Sequence, residues 1–328
     1  MTHDKVKLLD PGFLRRLERL RIQARRAFPG TMRGERRSTR SGASVEFRDF
    51  RKYEAGDDFR HIDWSIFARL EKLMLRQFVE EEDVRIDILI DKSNSMLFGE
   101  PVSKFEFALK AAAALAFLAV GSLDRVGVAT FDSDLRSRVR SLRGRGHLHS
   151  ILLFLEQLWS EKIDTASMTA SSADELNQTA SKEKGGEFEG VNAVTNLSAI
   201  IKRYQRANLK PGIVFVISDF LDREDFKYQL KMLAQAGFDL NLVQILTPAE
   251  LSPEIKGDLM LVDSESGVSR EVTISERVLK GYKTALDGYT TGLAAFCRST
   301  GIGYAMFSVD MSFEDILLKR LIESRMAE

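Results

Sequence analysis

The sequence predicts an α/β protein, built on a doubly wound and mostly parallel sheet with an N-terminal helical and basic extension. Two observations carry that expectation. From residue 84 onward, short apolar runs alternate with longer segments of helical period. The chain is also large enough for a full core, with 328 residues of which 44% are hydrophobic.

In chain order, DPGFLRRLERLRIQARRA at 10–27 places Phe13, Leu14, Leu17, Leu20 and Ile22 at near-helical spacing among arginines, which predicts an amphipathic helix. GTMRGERRSTRSGAS at 30–44 predicts a flexible basic loop. A stretch dense in charges and aromatics follows. VRIDILI at 84–90 is the first strong strand, and KFEFALKAAAALAFLAVGSL at 104–123 the helix after it. RVGVATF at 125–131 is a strand, and LRSRVR at 135–140 a short edge strand that doubles back. Beyond a helix near 147–159, the polar tract 164–190 reads as a mobile loop. Helices at 196–207 and 223–237 then alternate with strands at 212–218 and 238–246. LMLVDSESG and VSREVTI form a hairpin, and a helix at 276–299, a strand at 302–309 and an amphipathic helix at 312–325 close the chain. The expected division is 1–83, an N-terminal segment packed on the core, and 84–328, an α/β domain with its insert at 164–190.

Composition narrows the function classes. A single cysteine, Cys297, excludes an internal disulfide framework and a multi-cysteine zinc site and fits a reducing compartment. The opening MTHDKVKLLDPGF lacks the apolar run of about 7–15 residues that a secretory signal needs. Ala111–Leu123 is apolar but well short of the roughly 20 residues that span a bilayer. A soluble cytoplasmic protein is expected. Net charge is zero, yet residues 1–52 hold fifteen Lys and Arg against six Asp and Glu, with Arg25, Arg26, Arg33, Arg36, Arg37 and Arg40 clustered. That segment is either a solvated basic arm or a surface for nucleic acid, an anionic membrane or an acidic protein. It lacks the interleaved aromatics on which single-stranded nucleic acid stacks, so nucleic acid is the weakest of these.

The chemistry concentrates in DKSNSM, where the first strand ends and Asp91, Ser93 and Ser95 occupy alternate positions. A metal site, a phosphate-transfer nucleophile and a helix cap all answer to that pattern. In open doubly wound sheets, ligands sit beyond the carboxyl ends of the strands where strand order reverses. With the order 3-2-1-4-5-6, the first and fourth strands are neighbours. Asp91 then meets Asp219, which follows the fourth strand in VFVISDF, and Thr195 in AVTNL overhangs the same spot. The set is all oxygen and suits Mg²⁺ or Mn²⁺. Hydroxyls supply much of it, so such an ion keeps an appetite for one more acid, the carboxylate of a partner protein. A phosphatase of the haloacid-dehalogenase kind needs a second Asp two residues after the first, where this chain has Ser93. No GxSxG elbow, Walker A loop, HExxH or GxGxxG is set between strand and helix. His147 and His149, with no further His or Cys nearby, read as a surface pair at a helix start.

Asp91-x-Ser93-x-Ser95, then Thr195, then Asp219 resembles the metal-ion-dependent adhesion site of von Willebrand factor A domains, and all five positions are matched. That resemblance implies a Rossmann-type three-layer sandwich binding Mg²⁺ or Mn²⁺. A second signature is YEAGDDFRHIDWSIFARL at 53–70. Gly56 permits a tight turn, Asp57 and Asp58 are turn or cap carboxylates, and Arg60, Asp63 and Arg69 can pair while Trp64 anchors the segment on the core. Together with GASVEFRDFRKY, DKSNSMLFG, LDRVGVATF, VISDF, ILTPAE and LVDSESG, it resembles the family of domain of unknown function 58, over about residues 10–325. Many members carry two membrane helices ahead of this region, and this chain is similar to the soluble branch. The resemblance implies a non-enzymatic, Mg²⁺-dependent protein-binding module that partners a MoxR-type AAA+ ATPase in assembly or maturation of other proteins. A metal-dependent hydrolase of phosphate esters or nucleic acid, and a basic-arm binder of nucleic acid or anionic surfaces, are the alternative expectations.

Overall fold

The computed structural model describes residues 41–79 except 55, 85–121, 125–161 except 145, and 196–311 except 209, 223, 224 and 266, with isolated helical positions at 12, 15, 16 and 18. The tract 164–190, Thr195, the closing segment 312–325 and most of 10–27 lie outside the described residues. The chain divides into two compact units, 25–84 and 85–328, the latter together with 1–24.

In the smaller unit, β1 (Ser41–Lys52) pairs antiparallel with β2 (Met74–Val79). β1 starts inside the stretch expected to be a loop, so that expectation is corrected at 41–44. The ladder to a distant partner, which opens with Ser41 opposite Val79, gives these residues an order that their own composition does not. Asp58 caps a single 3-10 turn, Phe59–His61, and Asp63 caps the seven-residue α1 (Trp64–Leu70). Gly56 turns the chain ahead of them at φ 109°, a conformation glycine adopts without steric cost.

The larger unit contains β3 (Arg85–Asp91), α2 (Lys104–Gly121), β4 (Arg125–Phe131), β5 (Leu135–Leu142), α3 (146–161), α4 (Leu197–Ala207) and β6 (Ile213–Ser218). It continues with α5 (Lys227–Gln235), β7 (Asp239–Leu246), α6 (Pro248–Leu251), the hairpin β8 (Gly257–Val262) and β9 (Ser269–Ile274), α7 (Glu276–Thr300) and β10 (Gly303–Ser308). Six strands form one sheet in the order β10-β7-β6-β3-β4-β5, and only β5, against β4, runs antiparallel. Numbered within this sheet, that is the order 3-2-1-4-5-6. The chain therefore winds away from β3 and β6 in opposite directions and leaves a crevice at their carboxyl ends.

Alternation along β3 divides the core. Leu89, in register with Val216 of β6, joins Leu240 and Leu242 of β7 in a cluster closed by Ile200 and Tyr204 of α4, Leu233 of α5 and Leu293 of α7. Ile86, Ile88 and Ile90 face the other way, toward α2, whose alanines at 108, 111, 112, 113, 114 and 116 are buried. A helix this apolar around its circumference is an interior helix rather than a surface one. Among the described residues, no helix is long and apolar enough to cross a membrane.

Two helical expectations are corrected. α5 starts at Lys227, with Asp225 and Phe226 outside it and the Asp225 carboxylate accepting the Lys227 N–H, while 223 and 224 of the expected helix lie outside the described residues. His147 is buried rather than on the surface, with Nε2 2.7 Å from the Val126 carbonyl oxygen, to which it donates.

One buried polar set fastens this core. Asp87 accepts from the Tyr204 hydroxyl at 2.5 Å and pairs with Arg85 at 2.7 Å, while Gly127 lies opposite it on β4. A methyl group at 127 would sit 2.6 Å from Asp87 Oδ1, within the carboxylate's van der Waals shell. Gly127→Ala is expected to destabilise the larger unit by about 2 kcal/mol, because the carboxylate cannot move without leaving Tyr204 or Arg85. Urea denaturation measures it, and an unchanged midpoint would show that Asp87 has room to move.

Candidate functional site

The crevice between β3 and β6 is where the candidate residues converge. Asp91 ends β3 and is buried. Its Oδ1 accepts the Ser93 N–H at 2.9 Å, and its Oδ2 accepts the Ser218 hydroxyl at 2.6 Å. Ser93 is buried too, and its Oγ lies 3.0 Å from that of Ser95, so two hydroxyls stand together beside the carboxylate. Asp219 follows β6 and is buried, with Oδ1 accepting the Leu221 N–H at 3.2 Å.

Backbone strain helps to hold Asp219. The next residue, Phe220, sits at φ 54°, a left-handed conformation that is uncommon for a bulky side chain. It is held there by its own N–H to Ser218 Oγ at 3.0 Å and by the Tyr289 hydroxyl on its carbonyl. The Asp219 carbonyl accepts from Gln244 Nε2 at 2.8 Å, and Tyr304 in turn donates to Gln244 Oε1 at 2.5 Å.

The counter-charge comes from Lys104, the first residue of α2 and 1% exposed. Its Nζ bonds Asp219 Oδ2 at 2.7 Å and Glu250 Oε1 at 2.6 Å. Glu250 is fixed by its own capping box: it accepts the Thr247 N–H and hydroxyl on Oε2, at 2.8 and 3.1 Å, which leaves Oε1 for the lysine. Burial works against the ammonium charge, but the two carboxylates hold the lysine above its ordinary pKa.

Among the described residues no cation pairs with Asp91. Burial, and then the charge of Asp219, push its carboxyl up to about 7, against the bonds from Ser218 and Ser93 that favour ionisation. Two buried acids that repel each other beside paired hydroxyls make an all-oxygen donor set, which suits a hard divalent cation in kind. Among the described residues no three His, Cys, Asp or Glu gather as a metal cluster, so such an ion would be neutralised lightly.

A further acid reaches the same turn from a distance. Glu265, at the tip of the β8–β9 hairpin, accepts the Ser95 N–H on Oε1 at 2.7 Å, and Asn94 Nδ2 donates to the Ser264 carbonyl at 3.2 Å.

Of the sequence-predicted set, Asp91, Ser93, Ser95 and Asp219 share this crevice, and Thr195 lies outside the described residues. Ser218, Lys104, Glu250 and Glu265 were not anticipated. The Thr-Pro-Ala-Glu capping signature at 247–250 was readable for Glu250, while nothing local marks Lys104 or Glu265.

The second signature is corrected in its pairings. Asp63 pairs with Arg76 at 2.8 Å and caps α1, Arg60 pairs with Asp58 at 2.7 Å, and Asp57 pairs with Arg51 at 2.5 Å. Arg69 donates to the Ser65 carbonyl one helical turn back. Trp64 is 61% exposed, because capping by Asp63 sets the helix start so that position 64 faces outward.

The family described as "Protein of unknown function DUF58" matches residues 49–288, and the chain belongs to it. It is 26% identical over 293 residues to the uncharacterized protein Rv1480 of Mycobacterium tuberculosis, covering 89% of this chain and 83% of that one. It is 28% identical over 131 residues to the uncharacterized protein MAV169 of Mycobacterium avium, covering 40% of this chain and 76% of that one. Among solved structures, it is similar to the conserved hypothetical protein BatB from Bacteroides thetaiotaomicron, at TM-score 0.38, 16% identity and coverage of 75% of this chain and 100% of that one. It is also similar to an aerotolerance-related membrane protein from Bacteroides fragilis, at TM-score 0.40, 17% identity and coverage of 73% and 97%.

The raised Asp91 has a consequence for stability. Between about pH 4 and 7 the folded chain keeps a proton at Asp91 that the unfolded chain has released, so stability falls as pH rises through that window. In the presence of a chelator, Asp91→Asn is expected to remove that slope and to gain about 2 kcal/mol on the parent at pH 8 relative to pH 5. Thermal unfolding of both proteins across the range checks this, and parallel curves would contradict it. Lys104→Met strands Asp219 and Glu250 without their cation and is expected to cost about 3 kcal/mol, measured by denaturant unfolding.

Proposed function

We propose that the chain is a non-enzymatic protein-binding module of von Willebrand A-like type, which takes an acidic side chain of a partner at the β3/β6 crevice through a bound Mg²⁺ or Mn²⁺. The observation that carries this reading is the pair of buried, mutually repelling carboxylates, Asp91 and Asp219, beside the Ser93 and Ser95 hydroxyls. Asp91, Ser93, Ser95 and Asp219 would hold the ion, with Thr195 as the fifth position matched in sequence. When bound, the ion supplies positive charge to an incoming carboxylate.

The chain's own groups do the rest. Ser218 and the Ser93 N–H orient Asp91, and Lys104 occupies one oxygen of Asp219, so the site's negative charge is partly spent before any ion arrives. The Ser95 N–H is directed to a carboxylate, as its bond to Glu265 illustrates. The partner we propose is the one that the sequence resemblance implies, a MoxR-type AAA+ ATPase, with the pair acting in assembly or maturation of a client protein.

Isothermal calorimetry with Mg²⁺, comparing the parent with an Asp91→Ala, Ser93→Ala double variant, tests the site. Binding heat in the parent, lost at least about tenfold in affinity in the variant, is expected. Equal heats would remove the metal site, and steady turnover of a phosphoester panel abolished by Asp219→Ala would replace the module with a hydrolase.

A further inference from the structure

The β8–β9 hairpin is held in an unusual way. Its strands are exposed along most of their length, with Met260 and Val262, and Val268 just before β9, each more than 60% accessible, and within the two strands only Ile274 at the base is buried. A two-stranded ribbon with so little packing is marginal by itself. Its tip is nevertheless well formed. Asp263 accepts the Gly267 N–H on its carbonyl at 2.8 Å and the Glu265 N–H on its side chain at 2.9 Å, and it donates its own N–H to the Val268 carbonyl at 3.0 Å. That built tip delivers the Glu265 carboxylate to the Ser95 N–H and the Ser264 carbonyl to the Asn94 side chain, two contacts spanning 170 residues of sequence. The turn after β3 is thus engaged by a glutamate with the preceding backbone carbonyl beside it, carried on an exposed two-stranded ribbon.

We infer that Glu265 is an internal, displaceable occupant of the acid-binding position at Asn94–Ser95, and that a partner engages this turn by presenting the same pair of groups, a glutamate side chain and the carbonyl before it, in place of the hairpin tip. The inference rests on the reading of the crevice as an acid-binding site and adds two things to it. The ligand class becomes a Glu-bearing turn of a protein rather than any carboxylate. The free chain becomes self-occluded, so that partner binding and hairpin release are one event. A charge-assisted bond from a backbone N–H to a carboxylate is strong enough to favour the docked tip, and an equivalent bond from a partner replaces it without loss.

The test uses the full chain, its Glu265→Ala and Asn94→Ala variants, and a synthetic peptide of residues 260–268, MLVDSESGV, as the probe. By hydrogen–deuterium exchange, Glu265→Ala is expected to speed exchange about tenfold both in the hairpin 257–274 and in the turn 92–97, and Asn94→Ala to loosen the hairpin in the same direction. The peptide is expected to bind Glu265→Ala about tenfold more tightly than the parent, and to lose that affinity when its glutamate is replaced by glutamine. Unchanged exchange at 92–97 in Glu265→Ala, or equal peptide binding by parent and variant, would overturn the inference. Glu265 lies on a ribbon tip outside the core, so loss of fold does not confuse the comparison. A parallel Mg²⁺ titration separates the two readings. No heat in parent or variant, with the exchange change present, removes the cation and leaves the hairpin's role standing. Heat in both, without the exchange change, removes the hairpin's role alone.

Discussion

The repulsion between Asp91 and Asp219 is the constraint around which the larger unit is arranged. Two carboxylates removed from water close to each other are costly unless something neutralises or protonates one of them. The fold answers the two acids differently. Asp219 receives Lys104, a fully buried ammonium that Glu250 also engages, while Asp91 receives the Ser218 hydroxyl and the Ser93 N–H and keeps its proton up to about pH 7. The asymmetry is what gives the crevice its character: one acid is paired with a buried ammonium, and the other is held in its protonated form to higher pH.

Much of the surrounding architecture serves this arrangement. The left-handed turn at Phe220, braced by Tyr289, carries the chain out of β6 immediately after Asp219. The capping box at Thr247–Glu250 aims a second carboxylate at Lys104 from the end of β7. Gln244 and Tyr304 tie the Asp219 backbone to the β7 and β10 side of the sheet. Asp219–Phe220 and Thr247–Glu250 follow two successive parallel strands, β6 and β7, and they meet because parallel strands deliver their carboxyl ends to one edge.

The family signature at 53–70 has a plainer physical content than its density of charge implies. Its aspartates are caps and pair-formers within the small β1–β2 unit, each bonded to a nearby arginine or to a helix-start N–H. What is unexplained by local packing is the exposed aromatic side of α1, where Trp64 and Phe67 contact each other edge to face.

The sequence by itself determined the alternation of strands and helices, the placement of nearly every element from β3 to β10, and the candidacy of Asp91, Ser93, Ser95 and Asp219, because these follow from hydrophobic period and from residue types within one or two turns of chain. It did not determine β1 and β2, whose residues take their order from each other and not from an alternating pattern. The partner of Asp63, the burial of His147, the meeting of Lys104 and Glu250 at Asp219, and the contact of Glu265 with the turn after β3 were decided only in three dimensions. Each is a contact between residues well separated in the chain, and the energy of a buried charge or donor depends on its spatial neighbours, which no local stretch of sequence encodes.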